Sequence, residues 1–226
     1  MAKDVDPLWS GVSKLFNSKD FSYFTIRCGD REWPAHKAVL CTQSEYSDRV
    51  VRAGFKESHE NAIELHEDDP NIVQMMLVWL YTGKYGPIWL PDDALPSVGG
   101  LNSVELHVPV FEIADKYLLP KLKAIAAARF DYWAHEFWNI KGFAVGIAAV
   151  YDLPSDVGAP LRKTVMDVVR LHSSTFLHGT ATAAWWFRKT MDETPELGAS
   201  VAMLMSEKVN ELSEQIMKLE SRRANR

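Results

Sequence analysis

Regular patterning begins at Phe24. Apolar Phe24, Ile26 and Cys28 alternate with Thr25 and Arg27, the period of a strand with one buried face. Gly29-Asp30 is a two-residue turn, and Glu32 to Ala35 returns as the partner strand. Pro34 has no N–H to give a neighbour, so this second strand is expected to be short or to lie at a sheet edge. From Lys37 the period becomes helical, with Val39, Leu40, Gln43 and Tyr46 along one side and Gly54 suited to stop the helix. Ala62 to Leu65 reads as a short strand. Asp69-Pro70 then supplies a capping side chain and a proline at the first helical position. Ile72, Val73, Met76, Leu77 and Leu80 follow at helical spacing, which predicts one apolar face, and Tyr81 to Tyr85 closes that helix.

On either side of this block the pattern is less regular. Pro7 to Phe16 predicts a short amphipathic helix with Leu8, Trp9, Val12, Leu15 and Phe16 on one side. Two readings stay open for that face: packing on its own domain, or a subunit contact. Gly86 to Leu106 carries Pro87, Pro91, Pro96, Gly99 and Gly100, which exclude a continuous helix, so it reads as a loop insertion with Trp89 inside it. Helical spacing resumes at Val110, Ile113, Ala114 and Tyr117 and continues past Leu119-Pro120 through Leu122, Ile125, Ala126, Phe130 and Trp133. Beyond Phe130 four more helices are expected: Ile140 to Val150, Leu161 to His172, Ala181 to Phe187 and Leu197 to Leu219. In the last, Met205, Val209, Leu212, Ile216 and Leu219 form a heptad seam of about two heptads, short of the three to four that define a coiled coil. Packing of this seam onto the preceding helices is the expected arrangement, with a client or self-association seam as the alternative.

Taken together, Ala35-His36-Lys37-Ala38-Val39-Leu40, Gly54-Phe55-Lys56-Glu57-Ser58, Asp68-Asp69-Pro70 and Leu80-Tyr81-Thr82-Gly83 resemble, in order, a BTB/POZ domain, with most likeness to lone BTB proteins of fungal type. Phe111 to Lys123 is similar to the paired closing helices of that fold. The resemblance implies an α+β fold, a small mixed sheet flanked by helices, followed by an all-α extension. It divides the chain into an N-terminal helix (1–19), a BTB/POZ domain (20–130, with the insertion 86–106) and a helical extension (131–226) that resembles a shortened BACK region. Family members that bind a cullin carry a hydrophobic-x-glutamate triplet, which Phe55-Lys56-Glu57 matches, and Tyr81 resembles a contact tyrosine at the end of the following helix. A phenylalanine in a polar loop beside a glutamate also makes an anchor with a polar rim on physical grounds. Leu8, Trp9, Val12, Leu15 and Phe16 correspond to the dimer helix. The chain departs from the family where Tyr23 follows Ser22 in place of an aspartate. Without that acid, Lys37 must reach solvent or another partner. Ser47 likewise replaces a common groove aromatic.

Composition narrows the function without naming it. A net charge of −5 over 226 residues gives no basic face for nucleic acid. No stretch approaches the ~20 apolar residues of a membrane span, and the first six residues hold no apolar run. Cys28 and Cys41 read as free thiols of a reducing compartment, so a cytoplasmic or nuclear location is expected. His135-Glu136-Phe137-Trp138-Asn139 has Asn139 where a zinc protease motif needs its second histidine. Neither a phosphate loop nor a Gly-x-Ser-x-Gly turn occurs. No enzyme activity, cofactor or metal is therefore expected. The expected function is a protein–protein interaction module, a homodimeric substrate adaptor between an unknown client and a cullin-based ubiquitin ligase. The alternative is a self-associating scaffold or transcription-linked regulator with no cullin partner.

Overall fold

The computed structural model describes residues 11–53, 60–85 and 104–224. Phe55, Glu57, Leu8, Trp9 and Trp89 lie outside the described residues. The chain divides into two compact units, Met1–Phe130 and Asp131–Arg226.

In the first unit, strands β1 (Phe24–Cys28) and β2 (Arg31–Ala35) pair antiparallel, with Phe24 opposite Ala35 and Cys28 opposite Arg31. Gly29 closes the hairpin at φ 58, a conformation that suits a residue without a side chain. Strand β3 (Ala62–Glu64) runs parallel to β1 on its other side, giving the order β2-β1-β3. Pro34 thus sits in an edge strand, where its missing N–H is tolerated. Arg27, on the exposed face of β1, bridges Glu32 of β2 and Glu64 of β3.

Helix α1 (Lys37–Gln43) follows the hairpin, and α2 (Glu45–Arg52) follows it directly. The single helix expected from Lys37 is therefore two. Ser44 breaks it: its backbone is extended, its hydroxyl oxygen accepts from the Ser47 N–H, and its O–H donates to the Tyr117 carbonyl at 2.8 Å. That last partner lies 73 residues on, so the break is set by tertiary structure.

Helix α3 (Pro70–Thr82) starts as the sequence predicts. Asp69 accepts from the Asn71 N–H at 2.7 Å, Pro70 opens the first turn, and Gly83 ends it in the left-handed conformation. The expectation of one apolar face is corrected, because every residue from Ile72 to Tyr81 is buried. This is the central helix of the unit, covered all round. A 3-10 turn (Val104–Leu106), α4 (His107–Lys116) and the start of α5 (Pro120–Glu136) complete the unit, and α4 packs on α3.

The N-terminal segment also differs from expectation. Residues 11–13 are helical and residues 14–17 form turns. Hydrogen bonds from Lys14, Leu15 and Phe16 reach back three residues, and Asn17 adopts φ 56. A chain tightened in this way and then turned left-handed cannot carry a regular helix to Phe16.

In the second unit, α6 (Lys141–Asp152), α7 (Ser155–His178), α8 (Thr182–Glu193) and α9 (Pro195–Ala224) pack against one another around Phe143, Ile147, Val165, Val169, Phe176 and Phe187. Phe176 stacks on Phe187 with ring centroids 4.4 Å apart. α7 runs past the expected end at His172, where φ −110 and ψ 17 mark a kink and the imidazole stacks on Trp138. The seam of α9 is a correction too. Leu197, Val201 and Leu204 are buried and Met205 is half-buried, whereas the other four seam residues, Val209, Leu212, Ile216 and Leu219, are exposed and do not pack onto the preceding helices.

Candidate partner-binding site

His36 stands where the edge strand turns into α1, and its ring is held on both nitrogens. Nε2 lies 2.8 Å from the Asp20 carbonyl, which can only accept, so Nε2 carries the proton. Nδ1 then accepts from the Tyr81 hydroxyl at 2.9 Å, and the Tyr81 oxygen accepts from the His36 backbone N–H at 3.0 Å. Tyr81 is only 1% exposed, and burial pushes its phenol up to about 12. This closed exchange ties β2, α1 and α3 together. The Tyr81 ring is consequently unavailable to a partner in this structure, because a tyrosine on a fully buried helix has its hydroxyl satisfied inside.

Of the remaining residues singled out in the sequence, Val12, Leu15 and Phe16 are half-buried, and the Phe16 ring lies 5.8 Å from that of Tyr81. Phe16 therefore packs on its own unit. Leading into β1, however, Phe21 and Tyr23 are 80% and 81% exposed. Phe21 holds φ 60, a conformation that bulky residues rarely adopt. Ser22, between them, is anchored near the Phe24 and Ala35 carbonyls, so the two aromatics are presented from a fixed backbone. Apolar–polar alternation placed the strand but carried no signal that the residues just before it face water.

Lys37 meets the need that its sequence context raised. Its ammonium donates to Asn61 Oδ1 at 2.6 Å and stands 5.1 Å from the Phe24 ring centre. An amide and an aromatic face do here what the missing acid would have done. Beneath α2, Ile26, Leu40, Tyr46, Ile63, Met76 and Leu80 line a cavity of about 20 Å³, room for roughly one water. Among the described residues no group of three or more His, Cys, Asp or Glu side chains could hold a metal ion, and no helix is long and apolar enough to cross a membrane.

Residues 12–97 match the description of the BTB/POZ domain and form one in this chain. Kelch-like protein 21 of Rattus norvegicus is 33% identical over 122 residues, covering 54% of this chain and 18% of that protein. Kelch-like protein 41b of Danio rerio is 29% identical over 118 residues, covering 51% and 19%. The chain thus spans about a fifth of the length of these curated relatives. Among solved structures, the BTB domain of zebrafish PATZ1 aligns with a TM-score of 0.41 at 22% identity, covering 57% of this chain and 92% of that one.

Proposed function

We propose that this chain is a substrate adaptor whose BTB/POZ domain binds a cullin scaffold. The observation that carries the reading is the triplet Phe55-Lys56-Glu57, which stands between the end of α2 at Arg52 and the start of β3 at Ala62. It matches the hydrophobic-x-glutamate pattern of the cullin-binding relatives it resembles. With Tyr81 committed to His36, the contact falls to Phe55 and Glu57. Phe55→Ala should weaken binding to a cullin N-terminal domain by about 2 kcal/mol, roughly thirtyfold, with the melting temperature unchanged. Titration of the purified proteins measures this. Undetectable binding by the parent chain, or equal binding by the variant, would leave the self-associating scaffold as the better reading.

The client belongs to the helical unit. Tyr132, Phe137 and Trp185 are exposed there, and aromatic side chains are the usual anchors of interface hot spots. A dimer through Leu8, Trp9, Val12, Leu15 and Phe16 is part of the same proposal. Phe16 already has an intramolecular partner, so exposed Phe21 and Tyr23 supply further surface for that contact. Light scattering on the full chain should give about twice its 25.6 kDa mass. Phe21→Ser with Tyr23→Ser should shift it toward a monomer, and a parent chain at the monomer mass would count against this interface.

A further inference from the structure

The exposed end of α9 has a use that the fold of its own chain does not provide. Up to Glu211 the helix is tied to its unit, the last tie being the Arg170–Glu211 pair at 3.9 Å. Leu204 is buried, Arg170 pairs with Glu207 at 3.2 Å, and Lys208 donates to Ser173 at 3.0 Å. From Val209 to Arg223 every residue is exposed. These fifteen residues extend a helix already nucleated and anchored by its first half, so it is the uncovered apolar face, rather than helix formation, that calls for a partner. The face on offer is apolar: Val209, Leu212, Ile216 and Leu219 remain 61%, 50%, 55% and 63% exposed.

Their spacing identifies what covers them. Steps of three and four give a period of 3.5, which keeps a stripe facing another helix and suits no flat surface. In heptad terms Val209 and Ile216 are at position a, and Leu212 and Leu219 at position d. β-branched residues at a with leucine at d favour two parallel strands. Charge agrees. In parallel register Lys208 faces Ser213 of the second copy and Gln215 faces its Glu220, so no like charges flank the four-residue stripe, and Arg223 meets Arg223 only one layer beyond it. The antiparallel register that sets Val209 against Leu219 brings Lys208 beside Arg222 of the second copy, and does so twice. Arg223, next in the stripe, ends it.

We infer that the Val209–Leu219 segment of α9 pairs in parallel with the same segment of a second copy, as a short two-helix seam. This stands independently of cullin binding. The test uses the full chain with Cys41→Ser, because Cys41 is partly exposed whereas Cys28 is buried. Leu212→Cys places a thiol in the seam, and Glu214→Cys places one on the outer face. Parallel d positions lie within disulfide reach, so mild oxidation should join Leu212→Cys chains at least roughly tenfold faster than Glu214→Cys chains. Equal rates, or no cross-link in either variant, would overturn the pairing. Faster joining of Leu212→Cys to Ile216→Cys in a mixture than of Leu212→Cys to itself would overturn the parallel register.

Discussion

Tyr81→Ala should cost the first unit about 4 kcal/mol or more, roughly 15 °C in melting temperature. Two losses combine. Removing a buried aromatic side chain leaves a cavity at the C-terminal end of α3, beside Phe16 and His36. It also strips the His36 N–H and Nδ1 of the one hydroxyl that satisfies both, and each buried orphan costs about 1–3 kcal/mol. Tyr81→Phe separates the two effects, keeping the packing and losing only the hydroxyl, with an expected cost of about 2 kcal/mol. Denaturant titration of the three chains gives the order: parent, then phenylalanine, then alanine. A Tyr81→Ala chain as stable as the parent would place the ring outside the core and restore it as a candidate partner contact. This prediction matters because the resemblance to cullin-binding relatives singled out Tyr81, whereas the fold uses it as a structural tie.

The legible parts of the sequence are those set by neighbours in the chain. The hairpin follows from strict alternation around Gly29, and α3 from Asp69-Pro70 at one end and Gly83 at the other, all within a few residues of what they control. The break at Ser44 is different, because half of its hydrogen bonding comes from Tyr117. Helical spacing across Leu40, Gln43 and Tyr46 gave no sign of it. The burial of α3 on all sides was present in composition, since Met75, Val78 and Trp79 are apolar on the face left uncounted. Picking a single stripe from a helix that is apolar nearly all round loses that information. For the candidate site, His36 and Lys37 were marked by their place between strand and helix, but the Asn61 and Phe24 partners of Lys37 depend on how β3 and β1 are stacked beside α1. The seam of α9 was legible as a period and illegible as a surface. A 3.5-residue repeat states that a helix face will be covered, and says nothing about whether the same chain covers it.

Acid should destabilise the first unit through His107, by about 2 kcal/mol between pH 7 and pH 5 and about 3 kcal/mol by pH 4. His107 opens α4 and is buried. Its Nδ1 lies 3.0 Å from the Tyr85 hydroxyl, and its Nε2 has no partner among the described residues. Arg129 stacks on the same Tyr85 ring, 4.1 Å from its centre. Burial first, and the Arg129 charge second, lower the imidazole from 6.5 to about 4. In the unfolded chain the ring takes a proton near pH 6.5, while the folded chain refuses it until about pH 4. The unfolded state therefore binds more protons across that window, and stability falls as pH falls through it. Above pH 7 both states are neutral at this ring and the contribution is complete. His107→Phe keeps a ring of similar size and removes the titration, at the expense of the Tyr85 hydrogen bond. It should be less stable than the parent at pH 7.5 and should lose less between pH 7.5 and pH 5. Thermal melts of both full chains across that range measure the difference, and parallel curves would show that His107 takes up its proton in the folded chain near the ordinary value.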